Sequence, residues 1–160
     1  MNLISRWDTL PLKPDTRAWF VTDMNLRHQC APEGRISLIV EMPKMRCHWI
    51  NFLFEKRDKW LHNAIKQTAV LHRTPELLIT DNRALYPEVV SASAGLRPPA
   101  TAILDIPITA VAELGALIRS LETPLNTSRF KTAKDLNEIN AVLQGWLEEH
   151  ALQSVRGRLL

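Results

Sequence analysis

Two aspartates follow apolar runs, and each sits where a strand hands over to a loop. Leu77-Leu78-Ile79 is long enough for a buried strand, and the polar cluster Thr80-Asp81-Asn82 follows at once. Residues 18–22, Ala-Trp-Phe-Val-Thr, are aromatic and β-branched and end directly on Asp23. In open α/β sheets ligands collect beyond the carboxyl ends of the strands, because loops there present polar groups from a rigid origin. Both carboxylates are therefore placed for chemistry, although a lone Asp at a strand end is more often a turn former or helix cap.

Other groups invite comparison. His28, Cys30, Cys47 and His48 are four zinc-capable side chains, but their spacing is not that of a finger or knuckle. Buried free cysteines and ordinary loop histidines are commoner. His62 and His72 lie ten residues apart without a His-Glu-x-x-His pattern and read as surface residues. Arg119, Arg129, Lys131 and Lys134 cluster around the last two helices the sequence predicts. Such a patch suits phosphates without reading base sequence, and a solvated charged face accounts for it almost equally well.

The elements that must position these residues follow from periodicity. Residues 1–17, with Pro11, Pro14 and a polar run, read as an arm or linker that Trp7 anchors. After the strand at 18–22, residues 35–42 and 47–54 are two more strand candidates, separated by the Pro43-Lys44 break. The three are expected to form an antiparallel meander. From 55 to 72, apolar residues recur at three-to-four spacing (Trp60, Leu61, Ala64, Ile65, Thr68, Ala69, Leu71), which predicts a helix. Strand, helix and the strand before Asp81 then make a right-handed parallel crossover, so the sheet is mixed. A short helix over 84–90, a fifth strand over 100–106 and a helix over 110–121 capped by Thr109 come next. Pro124 and Asn126 interrupt it. A last helix over 132–152 follows, and the tail at 156–160 is expected to be loose.

The chain has 160 residues, 46% of them hydrophobic, enough for one sizeable core. Residues 18–160 are accordingly read as one domain behind the arm. A net charge of +3 permits a polyanionic partner without arguing strongly for one. Two cysteines are too few for a disulfide framework and fit a reducing compartment. No segment reaches the apolar length of a membrane span, and the start lacks the apolar stretch of a secretory signal. The expected location is the cytoplasm.

The order of three strands, helix, strand, short helix, strand, helix, helix is that of the ribonuclease-H-like fold. Residues 18–23 (Ala-Trp-Phe-Val-Thr-Asp), 35–40 (Arg-Ile-Ser-Leu-Ile-Val) and 75–82 (Pro-Glu-Leu-Leu-Ile-Thr-Asp-Asn), followed by Tyr86, carry a more specific likeness. On them the chain resembles the catalytic core of retroviral-type integrases and insertion-sequence transposases, the group named for its Asp, Asp and Glu triad (DDE). Residues 112–121 and the final helix extend the resemblance at lower similarity.

The resemblance implies a fold and a chemistry. The fold is α/β, with a five-stranded mixed sheet flanked by helices, its first three strands antiparallel and the rest parallel. The chemistry is displacement at a phosphodiester by water or a DNA 3′-hydroxyl, assisted by two magnesium or manganese ions. Two such ions need hard carboxylate ligands converging from different elements. Asp23 and Asp81 would be the first two catalytic ligands, and Glu113 the third, being the only carboxylate in the first turns of the helix after the fifth strand. Asn82, Arg83, Arg119, Arg129, Lys131 and Lys134 would meet DNA in a bacterial cytoplasm or nucleoid, with a second copy or other transposition proteins as partners and no membrane.

Departures from the family pattern are specific. Arg83 stands where a glycine is usual, and Leu114 where a basic residue follows the third acid. Aligning Arg119-Ser120-Leu121 with the family's basic-Thr-Leu ending puts the acid's place on Gly115. Residues 41–46 replace the usual Asp-x-x-Ser-Arg. The alternative is a catalytically inactive core serving as a DNA-binding or protein-assembly module. A third reading is a nuclease acting on RNA or repair intermediates.

Overall fold

Strand β1, Ala18–Asn25, is the axis of the molecule in the computed structural model, which describes residues 15–54, 59–108 and 111–159 and side chains up to residue 150. Its antiparallel partner β2, Arg35–Met42, runs in unbroken register from Ala18↔Met42 to Asn25↔Arg35. Strand β3, Arg46–Leu53, pairs antiparallel with β2 through a shift at Ile39/Val40. On the other side of β1 lie β4, Leu77–Thr80, and β5, Ala102–Asp105, each parallel to its neighbour. The order β3-β2-β1-β4-β5, antiparallel then parallel, is the ribonuclease-H-like arrangement.

Alternation along the strands divides the core in two. On one face Trp19, Val21, Ile39 and Leu78 pack under α1, Leu61–Leu71, and α2, Tyr86–Ala94. On the other, Phe20, Ile36, Leu38, Ile79 and Leu104 pack under α3, Ala112–Arg119, and α6, Leu136–Leu159. Two single-turn helices connect these, α4, Glu122–Leu125, and α5, Ser128–Lys131. Strand β4 is buried at all four positions, so it reads as a continuous apolar run rather than an alternating one.

Several boundaries differ from the sequence reading for local reasons. Helix α1 begins at Leu61, because Trp60 holds the N-cap position and its side chain is used elsewhere. Helix α6 begins at Leu136 rather than at 132, because the Asp135 carboxylate accepts from the Glu138 N–H at 2.9 Å and caps it. It then continues to Leu159, through the tail expected to be loose. Helix α3 starts at Ala112 behind Val111, which supplies no side-chain cap, and the expected cap Thr109 lies outside the described residues. The arm over 1–14, with Trp7, and residues 55–58 lie outside them too. Among the described residues no helix is long and apolar enough to cross a membrane.

Candidate functional site at the carboxyl ends of β1 and β4

Parallel pairing of β1 with β4 sets their carboxyl ends side by side and brings Asp23 and Asp81 to one edge of the sheet. A crossed pair of hydrogen bonds knits the two ends together. The Thr22 hydroxyl donates to Asp81 Oδ1 at 2.6 Å, and the Asn82 amide donates to Asp23 Oδ1 at 3.0 Å. Asn82 also closes the turn, its Oδ1 accepting from the Ala84 N–H at 3.0 Å to start a 3₁₀ turn over Arg83–Leu85. Asn82 thus serves both the turn and the carboxylate.

Asp23 is the more enclosed acid, with 3% of its side chain exposed, and its second oxygen is also engaged. Oδ2 receives the Trp60 indole N–H at 3.2 Å and forms an ion pair with the Arg35 guanidinium. The register explains Arg35: Asp23 lies opposite Ser37 and Asn25 opposite Arg35, so Arg35 is the diagonal neighbour on the same face. Two N–H groups and a cation therefore engage both oxygens of the Asp23 carboxylate within the protein.

Asp81 differs. It meets a hydroxyl, and burial raises its pKa above the usual carboxylate value. Thr22 opposes that shift and the Asp105 carboxylate adds to it. Asp105 comes alongside because Thr80 pairs with it across β4 and β5. Its own oxygen accepts from Arg83 Nε at 3.3 Å, where the Arg83 side chain is 86% exposed. Arg83 thus sets a cation at the mouth of the strand pair.

Glu113 is exposed on the first turn of α3 and lines a 920 Å³ cleft with Arg129 of α5 and Trp146, Glu149 and His150 of α6. That cleft also includes Met45, in the β2–β3 hairpin beside the amino end of β1. Gly115 lies further along α3, where an added Cβ would stand 3.5 Å from an Arg119 Nη1. Among the described residues no three His, Cys, Asp or Glu side chains converge in a way that could hold a metal.

The zinc-capable residues separate. His28 Nε2 is 2.8 Å from the Phe130 carbonyl, and the Cys30 thiol donates to the Ala133 and Lys134 carbonyls. Cys47 is buried on β3, where desolvation pushes its thiol up to about 12. His48 Nε2 meets Glu41 at 3.2 Å and its ring stacks on His72, 3.7 Å between centroids. The His28 and Cys30 contacts dock the loop after β1 on the α5–α6 junction, so exposed Arg129, Lys131 and Lys134 flank the same end of the sheet as Asp23. Arg119 is exposed in the last turn of α3.

Sequence reasoning missed Arg35, Trp60, Thr22 and Asp105. Trp60 was counted into the α1 stripe, and Arg35 was simply the first residue of a strand. Asp105 alone left a readable signal, an acid ending the fifth apolar run.

The donor set does not fit a pair of divalent ions. Such ions need ionised carboxylate oxygens with free lone pairs, and both Asp23 oxygens are taken by N–H donors and a guanidinium.

No family model and no curated protein matches the chain. Among solved structures it is similar to "Structure of the HTLV-2 integrase catalytic core domain in complex with magnesium (dimeric form)". That likeness has 17% identity and a TM-score of 0.49, covering 82% of this chain and 85% of the other. A likeness of this size carries nothing about activity or ligands.

Proposed function

We propose that this ribonuclease-H-like core has given up two-metal phosphoryl transfer and serves as a DNA-binding module. The ion pair between Arg35 and Asp23 carries the reading. Metal-assisted transfer needs the first carboxylate free to give its oxygens to the ions that hold the phosphate, and here it is neutralised from within. Exposed Arg129, Lys131 and Lys134 beside the loop after β1, with Arg119 on α3, support phosphate contacts that position DNA without reading bases.

Manganese calorimetry on the wild-type chain and on an Asp23→Asn, Asp81→Asn double variant tests this. The expected result is no saturable binding in either, together with duplex affinity that survives a chelator. Saturable binding lost in the double variant would restore the second reading, strand cleavage and transfer with magnesium or manganese at Asp23, Asp81 and Glu113. One observation favours that reading: Asp81 meets a hydroxyl rather than a cation, with Asp105 beside it.

A further inference from the structure

We propose that Arg35 is a built-in counter-cation that keeps divalent metal out of the β1–β4 edge, so that neutralising this one side chain opens a cation site there. The inference rests on the functional reading above and names the group responsible for it. Three observations converge. The two carboxylates already lie at adjacent parallel strand ends, tied by Thr22→Asp81 and Asn82→Asp23 bonds that fix their relation. The Arg35 guanidinium is 12% exposed and pairs with Oδ2, the Asp23 oxygen that Asn82 does not use and that it shares with the Trp60 indole N–H. Asp81 accepts from a neutral hydroxyl on its Oδ1.

Charge balance supplies the mechanism. A buried carboxylate demands a compensating positive charge, and either a guanidinium or a hard metal ion can supply it. An arginine fixed by strand register does so permanently, since it stays protonated at any physiological pH. With the guanidinium gone, the demand remains and the cheapest available cation is one from solution. Magnesium and manganese suit two carboxylates completed by water, because both ions retain several waters when bound.

The test is manganese calorimetry on the folded full chain with Arg35→Gln, Arg35→Lys and Arg35→Gln combined with Asp23→Asn. Arg35→Gln should bind manganese about tenfold or more tightly than wild type. Arg35→Lys, which keeps the charge, should not, and adding Asp23→Asn should abolish the gain. If Arg35→Gln gains nothing, or Arg35→Lys gains as much, the proposal is wrong. Should Arg35→Gln fold poorly, thermal melts decide: manganese raising its melting temperature well beyond any effect on wild type supports the proposal, and the absence of that rescue overturns it. Saturable binding already present in wild type and lost in Asp23→Asn would overturn the silent-core reading and this inference together. No binding in wild type and none in Arg35→Gln would overturn this inference alone.

Discussion

At the scale of single residues, the Asp23–Arg35 pair is a stability element as well as a functional one. Removing one partner leaves an enclosed charge without compensation, which costs about 3–5 kcal/mol for buried pairs. Asp23→Asn and Arg35→Gln should each lower the urea midpoint strongly, and the double variant should lose clearly less than the sum. Additive losses would show that the two side chains do not interact. Asp81 behaves in the opposite sense to a paired carboxylate. Burial raises its folded pKa, so the folded state holds the proton more tightly than the unfolded chain. Its contribution is full below the unfolded value of 3.8 and is lost as pH rises through the folded pKa. Asp81→Asn keeps a neutral group that can still accept from Thr22, so it should be at least as stable as wild type at neutral pH, with the difference shrinking as pH falls. Melting temperature against pH for both proteins checks this; a variant equally destabilised at every pH would contradict it.

At the scale of elements, the turn between β1 and β2 sets the register on which the Arg35 contact depends. Gly34 is needed there for room: a Cβ would stand 2.5 Å from Phe52 Cζ and 2.6 Å from the Leu26 carbonyl oxygen. Phe52 is buried and one of the contacts is backbone, so neither yields cheaply. Gly34→Ala should therefore cost about 1–3 kcal/mol in denaturant unfolding, with a loss near zero arguing against that packing. At the other end of the sheet, Glu41, His48 and His72 clasp the end of α1 to β2 and β3. The hydrogen bond from His48 is the chief cause lowering the Glu41 pKa, and burial is the chief cause lowering that of His72. Both depressed values mean that the unfolded chain binds protons more readily, so stability is lost as pH falls, first below the ordinary histidine range and then through the carboxylate range. His72→Gln should flatten the first of these steps in a pH series of thermal melts and leave the second. The longer elements are legible where apolar period is strong, and Leu61, Ala64, Ile65 and Thr68 are the buried stripe the sequence spacing implies, whereas the single turns α4 and α5 have too few residues to show a period. The ends were less so. Asp135 and Trp60 are both caps whose roles depend on which neighbour their side chains reach, and apolar period says nothing about that.

At the scale of the whole molecule, strand order was legible and cross-strand chemistry was not. Three strands, a helix and a strand imply a right-handed parallel crossover, and the ribonuclease-H-like resemblance is what implies that Asp23 and Asp81 lie together. Arg35 reaches Asp23 only through the register β1 and β2 adopt, and a loop with its own bridge at His28↔Ala31 separates those strands. Spacing alone could not supply that register. Glu113 is an assignment from position along the chain, and the fold sets it on the wall of a cleft that Met45, Arg129 and His150 also line. The basic residues are a question at this scale too, because only the fold collects Arg129, Lys131 and Lys134 beside the loop after β1. If they hold phosphates, binding to a duplex should weaken with salt, and each lost contact should reduce the slope of log affinity against log salt by about 0.9. Arg129→Gln, Lys131→Gln and Lys134→Gln combined should therefore flatten the slope by about three such steps while lowering affinity for all sequences alike. Asp81→Asn, at the edge of the sheet but outside the cation group, should leave the slope where it was. A triple variant with the wild-type slope would remove this face as the DNA contact, whatever the carboxylates do.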